Sequence, residues 1–79
     1  MNLNELRTIM MKDAATLDYD LVIEEHGDGI TVHHQDEVGT TSYTVPNTVT
    51  FIQEVEHQSK TDYESIEDSF WGTLDSYRD

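Results

Sequence analysis

Carboxylates are the groups with the most chemistry to offer in this 79-residue chain: 17 Asp and Glu stand against 4 Lys and Arg, a formal net charge of −13 with the 4 His neutral. Such acids have three chemical uses: proton transfer, metal ligation and imitation of phosphates. Proton transfer needs a pocket that drives two pKa values apart, and a domain this small has a thin core that rarely encloses one. There is no Cys nucleophile and no Gly-rich loop followed by Lys, and Ser42, Ser59, Ser65, Ser69 and Ser76 lie in no nucleophile-elbow context. No enzyme is expected. His33 and His34 are neighbours on a strand, so they face opposite sides and cannot grip one ion together. His26 and His57 have no His four residues away, and no HExxH pattern occurs. Asp28-Gly29 and Asp36-Glu37 lack the alternating acids of a calcium loop. No metal and no cofactor are expected.

Imitation of phosphates fits the placement of the acids better. On a helix near the C-terminus, Glu64, Asp68, Asp75 and Asp79 project within about 60° of one another, beside Trp71. Neighbours at i,i+4 are separated by roughly 6 Å of rise, the order of the phosphate spacing along a nucleic-acid strand. Like charges at that spacing cost a few tenths of a kcal/mol each, and few bases intervene. Further acids cluster at strand ends and turns: Asp18-Asp20, Glu24-Glu25-Asp28 and Asp36-Glu37. Trp71 reads either as an interface anchor or as a flank of the core.

The sign of the charge selects the partner. Arg7, Lys12, Lys60 and Arg78 are too few and too scattered to bind a phosphate backbone, so neither direct nucleic-acid binding nor an anionic membrane surface is expected. A charge of −13 suits a basic protein surface, including one that normally holds nucleic acid. The competing readings are an acidic adaptor for another basic protein, or acidity that serves solubility or a high-salt cytoplasm. With apolar runs no longer than three residues and an acidic start, the chain reads as an intracellular soluble domain.

Positioning these acids falls to a single domain over residues 1–79. Asn2 or Asn4 caps a first helix whose stripe is Leu3, Leu6, Ile9 and Met10, fading across Asp13 to Thr16. The period then changes to two. Tyr19, Leu21 and Ile23 mark a first strand, with a tight turn at His26-Gly27-Asp28-Gly29. Ile30, Val32 and His34 share one face of a second strand, and Thr41, Tyr43 and Val45 one face of a third, which Pro46 ends. Asn47 or Thr48 caps a second helix with Val49, Ile52 and Val55 inward and Phe51 beside them. Gln58-Ser59-Lys60 is its break. Thr61-x-x-Glu64 reads as a capping box opening a third helix to the C-terminus, with Tyr63, Ile66, Phe70, Leu74 and Tyr77 as its stripe. The expected class is α+β: a three-stranded antiparallel sheet with helices packed on one face, in the order α-β-β-β-α-α.

The start Met1-Asn2-Leu3-Asn4-Glu5-Leu6, Lys12-Asp13, the meander, Phe51-Ile52 and the acidic Tyr63-to-Phe70 segment together resemble the small type II-A anti-CRISPR inhibitors, phage-encoded DNA mimics of the same element order. The likeness spans nearly the whole chain, and it implies a guide-RNA-loaded CRISPR effector nuclease as partner, bound where the PAM duplex is read. It also implies action in the bacterial cytoplasm during infection; the sequence leaves the oligomeric state open between a monomer and a weak dimer. Carried over residue by residue, it points to Asp13, to Asp36 and Glu37 in the second hairpin, and to Glu64, Glu67 and Asp68 in the third helix. Trp71 and Asp75 adjoin them. Two departures stand out: Asp36-Glu37-Val38-Gly39 replaces a tighter turn, and the third-helix spacing differs by about one residue, a rotation of roughly 100°.

Overall fold

The computed structural model describes residues 1–78. Its elements are α1 (Leu3–Leu17), β1 (Asp20–His26), β2 (Gly29–Gln35), β3 (Thr40–Val45), α2 (Thr48–Thr61) and α3 (Ile66–Leu74), followed by a 3-10 turn over Asp75–Tyr77. This is the expected α+β class and element order. The strands form one antiparallel sheet in the order β1-β2-β3. Ile23 pairs with Val32, Val32 with Tyr43, and Ile30 with Val45. All of these are buried, because a period of two sends alternate side chains to one face. Leu6, Met10 and Ala14 of α1, Phe51, Ile52 and Val55 of α2, and Phe70 and Leu74 of α3 complete the same cluster. The opposite sheet face carries Val22, Glu24, His33, Ser42 and Thr44, exposed or half-buried.

Two glycines shape the first hairpin for different reasons. Gly27 takes φ +59° at the first of two turn positions, the conformation a type II′ turn requires there. Gly29 instead leaves room: a Cβ on it would collide with the Val45 carbonyl oxygen and sit 2.9 Å from that of Pro46. The Thr48 N–H donates to the Asp28 carbonyl at 2.7 Å, tying this turn to the start of α2.

Helix ends differ most from the sequence reading. α1 does not fade at Asp13–Thr16 but continues to Leu17, since Ala14 is buried in the core. Asp18 then turns left-handed at φ 57°, and the Tyr19 N–H returns to the Ala14 carbonyl at 3.1 Å, a Schellman-type closure. α2 crosses the expected break at Gln58-Ser59-Lys60 and closes the same way. Tyr63 takes φ 55°, the Glu64 N–H reaches the Ser59 carbonyl at 3.2 Å, and the Ser59 hydroxyl donates to the Glu64 carbonyl at 2.7 Å. Thr61 to Glu64 therefore terminate α2 rather than open α3. The α3 cap is Ser65, whose hydroxyl accepts the Asp68 N–H at 3.2 Å.

The stripes shift accordingly. Phe70 and Leu74 are fully buried and Ile66 and Tyr77 pack at the edge, but Tyr63 is 95% exposed. Val49 is 66% exposed, and Phe51 takes its place, meeting Phe70 edge-on at 5.6 Å and Tyr77 at 5.8 Å. α3 stops at Leu74 instead of running on. The 3-10 turn delivers Tyr77 to Phe51, and Arg78 forms an isolated antiparallel bridge with Tyr43 on the β3 edge.

Candidate partner-binding surface

Asp13 lies in the penultimate turn of α1, half-buried, and its Oδ2 accepts the Tyr19 hydroxyl at 2.7 Å. Tyr19 is brought back to it by the left-handed turn at Asp18. Burial first, and then the Asp13 hydrogen bond, push the Tyr19 phenol from 10.0 up to about 12. Asp13 and Glu67, the second residue of α3, line one shallow hollow of about 370 Å³ with Ile9, Lys12 and Thr16. Thus two of the expected acids, 54 residues apart in sequence, meet between α1 and α3.

Asp36 and Glu37 belong to the same end of the molecule. The register pairs Asp20, first in β1, with Gln35, last in β2, so the β2–β3 turn stands beside the α1–β1 junction. Asp36 is partly committed to its own turn: its Oδ1 accepts the N–H groups of Val38 at 2.8 Å and Gly39 at 3.1 Å, and its N–H donates to the Gly39 carbonyl at 3.0 Å. Glu37 is exposed beside it. Asp18 and Asp20 join this acidic end through the same register. They were visible as a cluster in sequence, but only sheet pairing sets them next to Asp36.

Trp71 is a flank of the core rather than an exposed anchor. Its ring stands 4.9 Å from His34, 5.1 Å from Phe70 and 5.9 Å from Tyr19. This aromatic stack holds α3 against the sheet, and so keeps Glu67 on the hollow that Asp13 lines. Tyr19 and His34 were not among the expected site residues. The Asp13–Tyr19 pair spans six residues across a helix end, a spacing that neither helical nor strand periodicity flags.

The continuous third-helix stripe of acids does not form. Because α3 starts at Ile66, Glu64 lies in the α2–α3 link and faces a different groove, beside Glu54, His57 and Asp62. Asp68 is exposed in the first turn of α3, Asp75 is exposed in the 3-10 turn, and Asp79 lies outside the described residues.

His33 and His34 do face opposite sides of the sheet. The His33 ring sits 3.2 Å from Glu24 and 2.9 Å from the Ser42 hydroxyl, while His34 packs on Trp71. Among the described residues, no group of three or more His, Asp or Glu is placed to hold a metal ion, and no helix is long and apolar enough to cross a membrane. Comparison with protein-family models, curated proteins and solved structures returned no match.

Proposed function

We propose that this protein is a stoichiometric inhibitor that mimics DNA and occupies the duplex-reading cleft of a guide-RNA-loaded type II CRISPR effector nuclease. The observation that carries this reading is the convergence of Asp13, Glu67 and the Asp36-Glu37 turn at one end of the fold. The resemblance of the chain to the small type II-A anti-CRISPR inhibitors supplies the class of target. Scale supports it as well. Duplex DNA carries one negative charge per 1.7 Å of axis, or about 18 over 31 Å. The molecule is 31 Å in its longest dimension and carries a net charge of −13, the same order.

The mechanism is competition in the cytoplasm of the infected cell. Opposite charge steers the encounter. The carboxylates of Asp13, Glu67 and Glu37 then pair with the arginines and lysines that would otherwise hold phosphates and read bases. The Tyr19 bond fixes the Asp13 carboxylate before binding, so little freedom of that side chain is lost on docking. No catalytic step is involved.

The test is a titration against a guide-loaded type II effector, with and without PAM-containing duplex, at two salt concentrations. Tight binding that the duplex abolishes is the expected result. Asp13→Lys combined with Glu67→Lys should weaken it at least tenfold, because breaking desolvated interfacial charge pairs costs about 2–5 kcal/mol. Unchanged affinity in that double variant, with its circular dichroism intact, would reject this surface. Absence of binding to any of several effectors, but capture of another basic protein through the same acids, would reassign the target.

A further inference from the structure

The two edges of the sheet differ. On β3 the C-terminal segment covers the edge through the Arg78–Tyr43 bridge, whereas the outer edge of β1 pairs with no strand among the described residues. In an antiparallel ladder, alternate residues turn both backbone polar groups toward the neighbouring strand or both away from it. The turn at Gly27-Asp28 closes the first hairpin on the His26–Gly29 pair, so His26, Glu24, Val22 and Asp20 face β2. Leu21, Ile23 and Glu25 face outward. Among the described residues, the contact made to their backbone groups is that of Arg7 Nη2, 3.5 Å from the Ile23 carbonyl oxygen, which is long for a hydrogen bond. Arg7 also holds the Glu25 carboxylate at 3.3 Å. One side chain therefore guards a seven-residue edge that is otherwise a template for another strand.

The order of residues in β1 selects the strand that fits. A second copy related by a two-fold axis adds antiparallel, and hydrogen bonds form only in registers that oppose outward residues to outward residues. With Ile23 on the axis, all seven residues of β1 are opposed. Ile23 meets Ile23, Leu21 meets Glu25, Val22 meets Glu24 and Asp20 meets His26, so no acid stands opposite an acid. Moving the axis to Val22 sets Asp20 against Glu24. Placing it at Glu24 or Glu25 sets that residue against itself, and at Leu21 only Asp20 to Val22 overlap. Like charges directly opposite are destabilising. Three of the seven residues are acids, yet the one full-length register keeps them apart.

We propose that the β1 edge pairs with the same edge of a second copy about a two-fold axis through Ile23, joining the two sheets in a weak dimer. Leu21 with Glu25, Ile23 with Ile23 and Glu25 with Leu21 each exchange two backbone hydrogen bonds. Asp20 pairs with His26 at both ends of the junction. Arg7 gives up its long contact with Ile23 and keeps Glu25. Met11, one turn along α1 from Arg7 and 36% exposed, lies on the helix side that faces the second copy. Edge pairing buries little area, and a charge of −13 on each copy opposes it, so the dimer is weak and salt strengthens it. Asp13, Asp36, Glu37 and Glu67 take no part. The dimer is thus independent of the effector reading, and its salt dependence has the opposite sign.

The experiment is sedimentation equilibrium up to about 1 mM protein, at about 0.1 and 0.5 M salt, with amide shifts of isotope-labelled protein followed against concentration. A monomer–dimer equilibrium is expected, its Kd falling at least threefold at the higher salt, with shifts centred on Leu21, Ile23 and Glu25. His26→Asp sets acid against acid at both ends and should raise Kd at least tenfold. Adding Asp20→Lys to it should restore pairing, whereas adding Asp75→Lys, equal in charge and remote from β1, should not. Rescue by that exchange is specific to the Ile23-centred register, the one that opposes positions 20 and 26. Circular dichroism reports whether each variant is folded. A monomer at about 1 mM in both salts would overturn the proposal and leave the edge to a strand of a different protein. A dimer whose shifts lie on another surface, or equal rescue by Asp20→Lys and Asp75→Lys, would overturn it as well.

Discussion

Asp13 and Tyr19 form a unit whose behaviour with pH can be foreseen. The folded protein retains the Tyr19 proton up to about 12, whereas the unfolded chain releases it near 10.0. The contribution of this group to stability is therefore complete below 10.0 and is lost as pH rises toward 12. Burial and Glu54 raise Tyr77 in the same direction, so Tyr19→Phe removes only part of the alkaline loss. That variant should cost about 1 kcal/mol at neutral pH for the missing hydrogen bond, yet lose less stability than the parent between pH 10 and 12. Thermal melts across that range decide it. Tyr63 sits where a Schellman closure usually places glycine. The left-handed conformation costs a side-chain-bearing residue roughly 1–2 kcal/mol, of which glycine's greater backbone freedom returns about half. Tyr63→Gly should accordingly stabilise the fold by about 0.5 kcal/mol, raising the midpoint by roughly 2–4 °C. A lowered midpoint would mean that the exposed ring contributes packing absent from its 95% exposure.

At the scale of elements, the molecule depends on a few junctions. The β1–β2 turn is wedged against the β3–α2 link at Gly29, where only a hydrogen atom fits beneath the Val45 carbonyl. Backbone, unlike a flexible side chain, cannot swing aside. Gly29→Ala should therefore destabilise by about 2 kcal/mol, the usual cost of forcing extra atoms into packed space. Gly27→Ala acts differently, through its left-handed φ, with open space around it. Denaturant unfolding of both variants should show Gly29→Ala as the larger loss. The third helix shows what local patterns leave open. Thr61-x-x-Glu64 and Ser65-x-x-Asp68 follow one another directly, and both have cap-like spacing. The choice went to Ser65 because α2 stays packed through Thr61 and uses Asp62 to Glu64 to satisfy its own terminal carbonyls. That shift took Glu64 and Tyr63 off the helix and left Glu67 as the α3 acid that lines the hollow with Asp13.

For the whole molecule, net charge governs both solubility and binding. A charge of −13 on 79 residues creates self-repulsion that salt relieves, while the same salt screens attraction to a basic partner. Raising salt from about 0.1 to 0.5 M shortens the Debye length from about 10 to about 4 Å. Association with the effector should slow at least tenfold over that range, while the helical circular dichroism signal is unchanged or strengthened. Affinity that is flat with salt would remove the charge-steering mechanism, even if binding itself were present.

What the amino-acid order determined by itself was the type and sequence of elements and the inward faces of the strands, which depend on contacts within a few residues; for the caps it offered Asn2 or Asn4 and Asn47 or Thr48, of which Asn2 and Asn47 make the bonds. The α+β class follows from those periods, as does the placing of His33 and His34 on opposite faces. Tertiary structure decided the helix ends, since continuing or stopping α1 and α2 depended on whether Ala14 and the last turn of α2 had a core and a closing turn to meet. It also decided the fate of Trp71, which the sequence left open between anchor and core flank and which the rings of Tyr19, His34 and Phe70 claimed for the core. The placing of Asp13 and Glu67 on one hollow and the unpartnered hydroxyls of Ser69 and Thr73 belong to the same category. Each requires two elements to approach in space, and neither a 3.6-residue nor a two-residue period carries that information.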